Sequence, residues 1–361
     1  MEYRRKSAVY WDVTKTGKRN YPASGMKKVS MRLLTEVEAL GYEVHPVKWS
    51  RRNKKFFTDK LPVARDHRIP YICPEVYCEE ERNGVIDWLD NYKGRKIAIF
   101  YDAIPKSHPE ITWPHSVSRH PSYMTMLGNH FSTVVSISKS SQDELLKFWD
   151  TLNLQKLPNC QTMKLGSDLH FQLRAPLRKF SEKTSLWNLL MVGILEPRKN
   201  HVLALEACEK INREGIPLRL NIAGRLNPHF GGRILDKIQK AKRAGLDVIW
   251  HKSPNPTALV KIYREADLCL FPSIAEGCGL PVLESLWLGT PVLASDIPSV
   301  VENGELPGLK IFPLGKQDSL LENLRSIITK PEKLKKLQCD CQKANLPTWR
   351  EAAASLMDKI S

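Results

Sequence analysis

Two glutamates, Glu276 and Glu284, lie eight positions apart in a glycine-containing stretch that spans residues 267–302. An apolar run at 268–271 predicts a buried strand, which ends before Ser273 at a point where a loop must follow. Carboxylates repel phosphate but accept hydrogen bonds from hydroxyl groups. The pair therefore predicts contacts to the hydroxyl groups of a sugar.

The loop between the two glutamates leads into a helix predicted over Leu280–Leu288, with Gly289 at its end and another buried strand over Pro291–Ser295. Backbone amides at the start of a helix form a ready site for an anion. Four residues supply those amides here: Gly277, Cys278, Gly279 and Leu280. The predicted ligand is anionic in its middle and rich in hydroxyl groups at both ends, as a nucleotide sugar is.

This stretch, with its pattern FPSxxEGxGLPxLE, resembles the E-x7-E signature of glycosyltransferase family 4, whose members are retaining enzymes of the GT-B fold. Two glutamates at this spacing alone would be an ordinary solvated helix face, but the surrounding motif favours a site. The resemblance implies that Glu276 meets the donor sugar, that Glu284 meets the ribose and that Ser273 helps to bind the donor. One departure is Cys278, where many relatives carry an aromatic residue.

A second loop, VGILEPRKN at 192–200, follows another predicted strand and resembles the phosphate-binding loop of the same family. Gly193 and Lys199 match the family pattern, whereas Ile194 stands where an arginine often follows the glycine. Arg198 would compensate from the other end of the loop. Because the family does without a bound metal, a departing diphosphate would be met by such cations and by helix amides. We therefore expect neither a cofactor nor a metal.

The N-terminal half resembles a branch of the family that carries the pattern HD-x-IP after a buried strand. Asp102 matches this pattern, and Tyr101 stands where many relatives have histidine. A tyrosine can donate a hydrogen bond but is not a base at neutral pH, so both residues are catalytic candidates with the proton-handling role open. Gly25 matches the glycine of the family's first loop, or else it only makes a tight turn. Nearby histidines could substitute for Tyr101, although each is ordinarily structural or exposed: His108, His115, His120 and His130.

Alternating strands and helices predict an α/β protein. The resemblance makes this a GT-B fold, with two Rossmann-like doubly wound domains facing a central cleft and a C-terminal helix that crosses back to the first domain. We place the acceptor-side domain at 1–172 plus 346–361, a linker at 173–185 and the nucleotide-sugar domain at 186–345. The last strand of the first domain is predicted at 163–168.

The net charge of +16 is concentrated in residues 1–68, which hold 17 Lys and Arg against 7 Asp and Glu. Its centre is Arg51–Phe57, with the sequence RRNKKFF. Such a segment can contact an anionic membrane surface, a lipid-linked acceptor or a nucleic acid, or can be a solvated loop. No apolar run is long enough to cross a bilayer and no signal-peptide core is present, which predicts a cytoplasmic protein, with peripheral attachment to the inner face of the membrane through this segment. The eight scattered cysteines predict reduced, mostly buried thiols.

The function predicted is retaining transfer of a hexose-type sugar from a nucleotide-diphosphate donor to a glycan or lipid-linked glycan acceptor, in the synthesis of surface polysaccharides or glycoconjugates. An alternative is a nucleotide-sugar epimerase or glycan phosphorylase on the same fold. A basic nucleic-acid-binding protein is an alternative of another class, but no known nucleic-acid module is present, so no nucleic-acid partner is expected.

Overall fold

The computed structural model describes residues 6–18, 24–59, 61–154, 156–176 and 186–360. The chain divides into two compact units, one of residues 1–166 with 347–361 and the other of residues 167–346. Most of the linker predicted at 173–185 lies outside the described residues.

The first unit is built around a largely parallel sheet. Its elements up to the end of that sheet are β1 (Lys6–Asp12), α1 (Gly25–Ala39), β2 (Tyr42–Ser50), β3 (Lys55–Thr58), β4 (Leu61–Pro62), β5 (Tyr71–Cys73), α2 (Val85–Asn91), β6 (Lys96–Phe100), α3 (Ile104–Ser107), α4 (Pro114–His130), β7 (Thr133–Ser136), α5 (Lys139–Asp150) and β8 (Asn159–Thr162). Among the described residues the strand order is β4-β3-β2-β1-β5-β6-β7-β8. In the described part of this sheet, β3 pairs antiparallel with both β2 and β4, so β3 and β4 form an added antiparallel edge.

The prediction that the last strand lies at 163–168 is wrong, because the last strand of this sheet is β8, which pairs with β7. Hydrogen bonding to β7 ends when the amide of Met163 donates to the carbonyl of Ser136 at 2.9 Å. Beyond that point the chain leaves the sheet, although Met163 and Leu165 remain buried. The apolar pattern thus reported burial of an extended segment rather than strand pairing.

The second unit holds an all-parallel sheet of β9 to β14. Its elements are β9 (Trp187–Val192), α6 (His201–Arg213), β10 (Leu218–Ala223), α7 (Gly231–Arg243), β11 (Asp247–His251), α8 (Pro256–Glu265), β12 (Leu268–Phe271), α9 (Leu280–Trp287), β13 (Val292–Ser295), α10 (Pro298–Val301), β14 (Leu309–Phe312), α11 (Ser319–Ile328) and α12 (Pro331–Cys341). The order β11-β10-β9-β12-β13-β14 makes this a doubly wound sheet. The direction of winding reverses between β9 and β12, so these two adjacent strands mark the topological switch point at the sheet's carboxyl edge.

The final helix, α13 (Trp349–Ile360), belongs to the first unit and packs against α1. Its buried face repeats at helical spacing and consists of Trp349, Ala352, Ala353, Leu356, Met357 and Ile360. The carbonyl of Ile360 accepts a hydrogen bond from Arg95, which fixes the last turn of α13 onto the same unit. Within the parts of the chain that are described, no helix is long and apolar enough to cross a membrane.

The basic segment Arg51–Phe57 forms the turn between β2 and β3 and the start of β3. The five residues from Arg51 to Lys55 are exposed. Phe56 is fully buried, and its ring lies 4.7 Å from that of Trp88. The two aromatic residues are therefore not a paired exposed surface. The segment exposes its charges to solvent, as expected, but it buries Phe56 in the core.

All eight cysteines are free, and six of them are buried, as the scattered spacing predicted.

A buried ion network joins the loops that follow β1 and β5 in the first unit. Arg82 forms ion pairs with both Asp12 and Glu75, and each of the three residues is at most 3% exposed. Glu75 also accepts hydrogen bonds from the backbone amides of Lys15 and Thr16, at 2.6 and 2.7 Å. Because one cation compensates two buried carboxylates, the conformation of both loops depends on Arg82.

We expect Arg82→Ala to destabilise the first unit by about 3–5 kcal/mol, because Asp12 and Glu75 would remain buried without a cation. Urea unfolding followed by circular dichroism measures this change. The matched control is Arg325→Ala, which breaks the exposed ion pair with Glu214 and should barely move the unfolding midpoint. Equal effects of the two substitutions would contradict the assigned importance of the network.

Candidate functional site

The loops that follow β9 and β12 meet where the winding of the second sheet reverses. Arg198 Nη1 lies 2.5 Å from Glu276 Oε2, and Lys199 pairs with the other carboxylate oxygen, Oε1. The amide of Ile274 donates to the carbonyl of Arg198 at 2.7 Å and ties the two loops together through their backbones. Ligands of doubly wound sheets bind at this kind of position. The structure thus brings together residues that the sequence separates by nearly eighty positions.

The carboxylate of Glu276 is held in its charged form. Burial alone would raise its pKa, but the charges of Arg198 and Lys199 outweigh that effect and bring the pKa down to about 2. Its side chain is only 8% exposed. The pKa of Lys199 is lowered, chiefly by burial and then by the neighbouring Arg198. Glu276 therefore cannot act as a proton donor at neutral pH, and it holds two cations in place.

Close packing in the first loop explains its glycine. A Cβ at Gly193 would lie 3.0 Å from Cε of Lys199, so the missing side chain leaves room for the lysine stem. A Cβ at Gly224, at the end of β10, would lie 1.8 Å from the carbonyl oxygen of Gly193. The ammonium of Lys199 lies 5.4 Å from the ring centre of Phe271. These contacts fix the position of the lysine relative to the end of β12.

The start of α9 adjoins the glutamate. Gly279, at the N-cap, has φ +79°, which favours glycine, and Leu280 opens the helix. Gly277, Cys278 and Gly279 are buried. Burial raises the pKa of the Cys278 thiol to about 12, so this residue contributes a neutral side chain to the loop. The helix dipole places partial positive charge at the N-cap Gly279, three positions after Glu276 in the chain.

Glu284 lies within α9 and is 4% exposed. Its Oε2 accepts a hydrogen bond from the hydroxyl of Tyr263, in α8, at 3.3 Å. Ser273, two residues after β12, is fully buried, and its carbonyl accepts a hydrogen bond from the hydroxyl of Ser295 at 2.6 Å. The sequence did not indicate a role for Tyr263, because the residue that it contacts, Glu284, is twenty-one positions away in the chain.

Sequence reasoning also gave no role to Glu196 and His201, which flank the two basic residues. Glu196 Oε1 lies 2.6 Å from Nε of Arg198, so this guanidinium bridges two carboxylates. His201, the first residue of α6, is 1% exposed, and burial together with the charge of Lys199 lowers its pKa to about 3. Glu196 could have been noticed because it lies inside the same loop motif.

In the first unit, Tyr101 and Asp102 follow β6 and lie at the sheet's carboxyl edge. The hydroxyl of Tyr101 donates to the carbonyl of Pro74 at 2.8 Å, and Asp102 Oδ1 accepts from the amide of Ile104 at 3.1 Å. Both side chains therefore have structural partners. Gly25 begins α1 behind the cap residue Ser24, and a Cβ there would meet no atom within 4 Å, so packing does not require a glycine.

The low pKa of Glu276 predicts a pH dependence. The carboxylate is ionised more easily in the folded protein than in the unfolded chain, whose pKa is near 4.5, so its contribution is present above that value. We expect on the order of 3 kcal/mol of stability to disappear as the pH falls from about 4.5 to about 2. Urea unfolding at several pH values measures this loss. Glu276→Gln should lack this part of the acid dependence, and an unchanged profile would contradict the assignment.

Residues 175–343 match the family described as glycosyl transferases group 1. The serotype-specific mannosyltransferase WbdA of Escherichia coli is 25% identical over 211 residues, which cover 55% of this chain. That alignment spans only 26% of the E. coli relative's length.

Several solved structures resemble nearly the whole chain. Sucrose-phosphate synthase from Thermosynechococcus elongatus superposes with a TM-score of 0.70 at 15% identity and covers 99% of this chain and 98% of its own. Anabaena HepE, solved in complex with UDP and glucose, gives a TM-score of 0.69 at 12% identity, with coverage of 98% and 99%. The two parallel-sheet units, the switch-point site and these similarities agree. The protein has the GT-B fold, and its residues 175–343 match the model of the group 1 glycosyl transferases.

Proposed function

We propose that this protein is a retaining, metal-independent glycosyltransferase of the family 4 type, which moves a hexose from a nucleotide-diphosphate donor to a glycan or lipid-linked glycan acceptor. The observation that carries the proposal is the position of Glu276, between Arg198 and Lys199 at the switch point of the second sheet. Two similar proteins support hexose transfer from a nucleotide sugar. The E. coli relative is described as a serotype-specific mannosyltransferase, and HepE was solved in complex with UDP and glucose.

The surroundings of Glu276 favour an orienting role over a nucleophilic one. Each of its carboxylate oxygens faces a cation, Oε1 that of Lys199 and Oε2 that of Arg198. Strong charge-assisted hydrogen bonds reduce the availability of lone pairs for attack on a sugar carbon. In the proposed reaction Glu276 accepts hydrogen bonds from the donor's hydroxyl groups and stabilises developing positive charge on the ring. The leaving phosphate takes the proton of the acceptor hydroxyl on the same face, which preserves the anomeric configuration.

The negative charge that develops on the leaving diphosphate is met by three groups in this proposal. An ammonium has three N–H donors, and Glu276 takes one from Lys199, which leaves others for a phosphate oxygen. Arg198 adds a second cation, and the N-terminus of α9 adds its amides and dipole. Glu284, inside α9 and beside Tyr263, is assigned to the ribose hydroxyls.

We further propose that the exposed turn from Arg51 to Lys55 attracts the protein to an anionic membrane surface, so that the enzyme works as a peripheral protein on the cytoplasmic face. Four of the five residues are Arg or Lys, and all five are exposed. Each basic residue near such a surface contributes on the order of 1 kcal/mol. Because Phe56 is buried, attraction by charge, without insertion of this aromatic ring, is the mechanism assigned.

The proposed activity predicts a product with the donor's anomeric configuration. Screening UDP, GDP, ADP and dTDP by thermal shift should reveal one selectively stabilising base, and the corresponding sugar donor then serves as substrate. NMR coupling constants of the transferred sugar report its configuration.

Lys199→Ala should weaken diphosphate binding about tenfold or more, because one charge-assisted contact is worth roughly 1.5–3 kcal/mol. Lys210→Ala, which removes an exposed lysine of α6, is the control and should leave binding unchanged.

Inversion at the anomeric carbon would overturn the retaining assignment. A trapped glycosyl ester on Glu276 would overturn the mechanism, and unchanged diphosphate affinity in Lys199→Ala would remove the assigned role of the loop.

The membrane proposal predicts charge-dependent sedimentation with liposomes. The wild-type protein should bind vesicles that contain anionic lipid and should not bind neutral vesicles, and added salt should weaken the binding. Replacing Arg51, Arg52, Lys54 and Lys55 by Gln should abolish it. A matched control replaces Lys237, Lys240, Lys242 and Arg243 of α7, which leaves the turn intact. Equal binding to both kinds of vesicle, or to neither, would contradict the proposal.

A further inference from the structure

The first unit contains a cavity at its own topological switch point. The strand order β2-β1-β5-β6 reverses between β1 and β5, and the loops after these strands form part of the cavity wall. The volume of about 250 Å³ is just below the roughly 300–1,000 Å³ of small-molecule sites. The cavity therefore suits a single small ring rather than a chain of several. Both Tyr101 and Asp102 line it, together with residues that the donor site does not use.

His120, in α4, lines this cavity with a ring whose hydrogen-bonding state is defined. Its Nε2 lies 2.9 Å from the carbonyl oxygen of Asp102. A carbonyl can only accept, so Nε2 must carry the hydrogen and Nδ1 must present a lone pair. Burial lowers the pKa of His120, which keeps the imidazole neutral near pH 7. Nδ1 is thus a fixed hydrogen-bond acceptor, and it is the ring nitrogen that remains for a molecule in the cavity.

A second acceptor, Glu81, is held in the same cavity wall by two cations. Lys15 Nζ lies 3.1 Å from Glu81 Oε1, and Arg119 Nη1 lies 3.7 Å from the same oxygen. Lys15 is itself fixed by donation to the carbonyl of Val76 at 2.6 Å. The cavity therefore offers a carboxylate and an imidazole as acceptors, with lysine and guanidinium donors beside them. Such alternating donors and acceptors match vicinal hydroxyl groups.

An exposed aromatic ring lies next to this polar wall. Trp113 is 42% exposed, and its ring centre is 4.8 Å from that of His115, which lines the cavity. An indole presents a broad apolar face together with one polar N–H, so it can cover the C–H face of a sugar ring. Trp113 is not itself among the residues that line the cavity, so its place beside the cavity rests on its contact with His115.

We propose that this cavity binds one hexose ring of the acceptor, with Nδ1 of His120 accepting a hydrogen bond from a sugar hydroxyl and Trp113 covering the ring. This inference rests on the proposed function and adds to it a residue that selects and positions the acceptor. This chain has Tyr101 where many relatives carry histidine. His120, from α4, supplies an imidazole to the same cavity that Tyr101 lines.

The test measures saccharide binding separately from donor binding. Methyl α-D-mannopyranoside and methyl α-D-glucopyranoside are the probes, and saturation-transfer NMR titrations give their affinities. We expect at least one probe to bind, and binding to weaken at least fivefold in His120→Gln, which keeps a donor for the carbonyl of Asp102 but loses the Nδ1 acceptor. Trp113→Ala should weaken it similarly. The control is His130→Gln, which alters a partly buried histidine at the other end of the same helix, paired with Asp90 and not among the cavity's lining residues, and should leave binding unchanged.

The tautomer gives a test that needs no variant. The nitrogen chemical shifts of His120 in the wild-type protein should report a neutral ring with the hydrogen on Nε2, and addition of the bound glycoside should shift the Nδ1 resonance. A hydrogen on Nδ1, failure of both probes to bind, or equal binding by wild type and both cavity variants would overturn the inference. Nucleotide-diphosphate affinity and the anomeric outcome depend on the second unit, so their failure would be distinguishable from the failure of this site.

Discussion

Burial of the Glu276 carboxylate beside two cations is the interaction on which the second unit's site depends. An isolated carboxylate in that position would be neutralised by protonation, because removing its charge from water is costly. Arg198 and Lys199 prevent this, and their own placement depends on the close contact between Gly193 and Gly224. Charge, packing and backbone hydrogen bonding between the two loops therefore support one another, and none of them specifies the site alone.

The first unit also has a buried ion network at its switch point, but with the opposite balance of one cation to two carboxylates, and burial together with the charge of Asp12 raises the pKa of Glu75 to about 7. Arg82 compensates Asp12 and Glu75 without access to solvent, and Glu75 holds the loop after β1 through its amides. In both units a buried ion network joins two loops that leave the sheet on opposite sides of a switch point. The geometry of parallel sheets accounts for this, because the carboxyl ends of adjacent strands bring such loops together and the reversal leaves a gap between them.

The basic N-terminal region illustrates how local composition and tertiary packing can serve different purposes. The turn from Arg51 to Lys55 exposes its charges, whereas Phe56, next in the chain, packs against Trp88 in the core. A strand alternates its side chains between two faces, so charge and aromatic character that are adjacent in sequence point to different environments. Interpreting RRNKKFF as one surface was therefore incorrect for Phe56.

The sequence by itself determined the alternation of strands and helices, the strand–loop–helix order around Glu276 and the buried character of β12 and β13, because each follows from local apolar runs, glycine and proline. It did not determine β5 or the edge strands β3 and β4, which are short and depend on neighbours for their pairing. Nor could it place the last strand at 159–162 rather than at 163–168, since the strand NCQT is polar and carries no apolar pattern, whereas Met163 and Leu165 are buried without belonging to a strand. Only the tertiary structure decided that Arg198 and Lys199 face Glu276, that Tyr263 reaches Glu284 and that His120 is held by Asp102. These contacts join residues far apart in the chain, and their geometry is set by strand order, which no local pattern encodes.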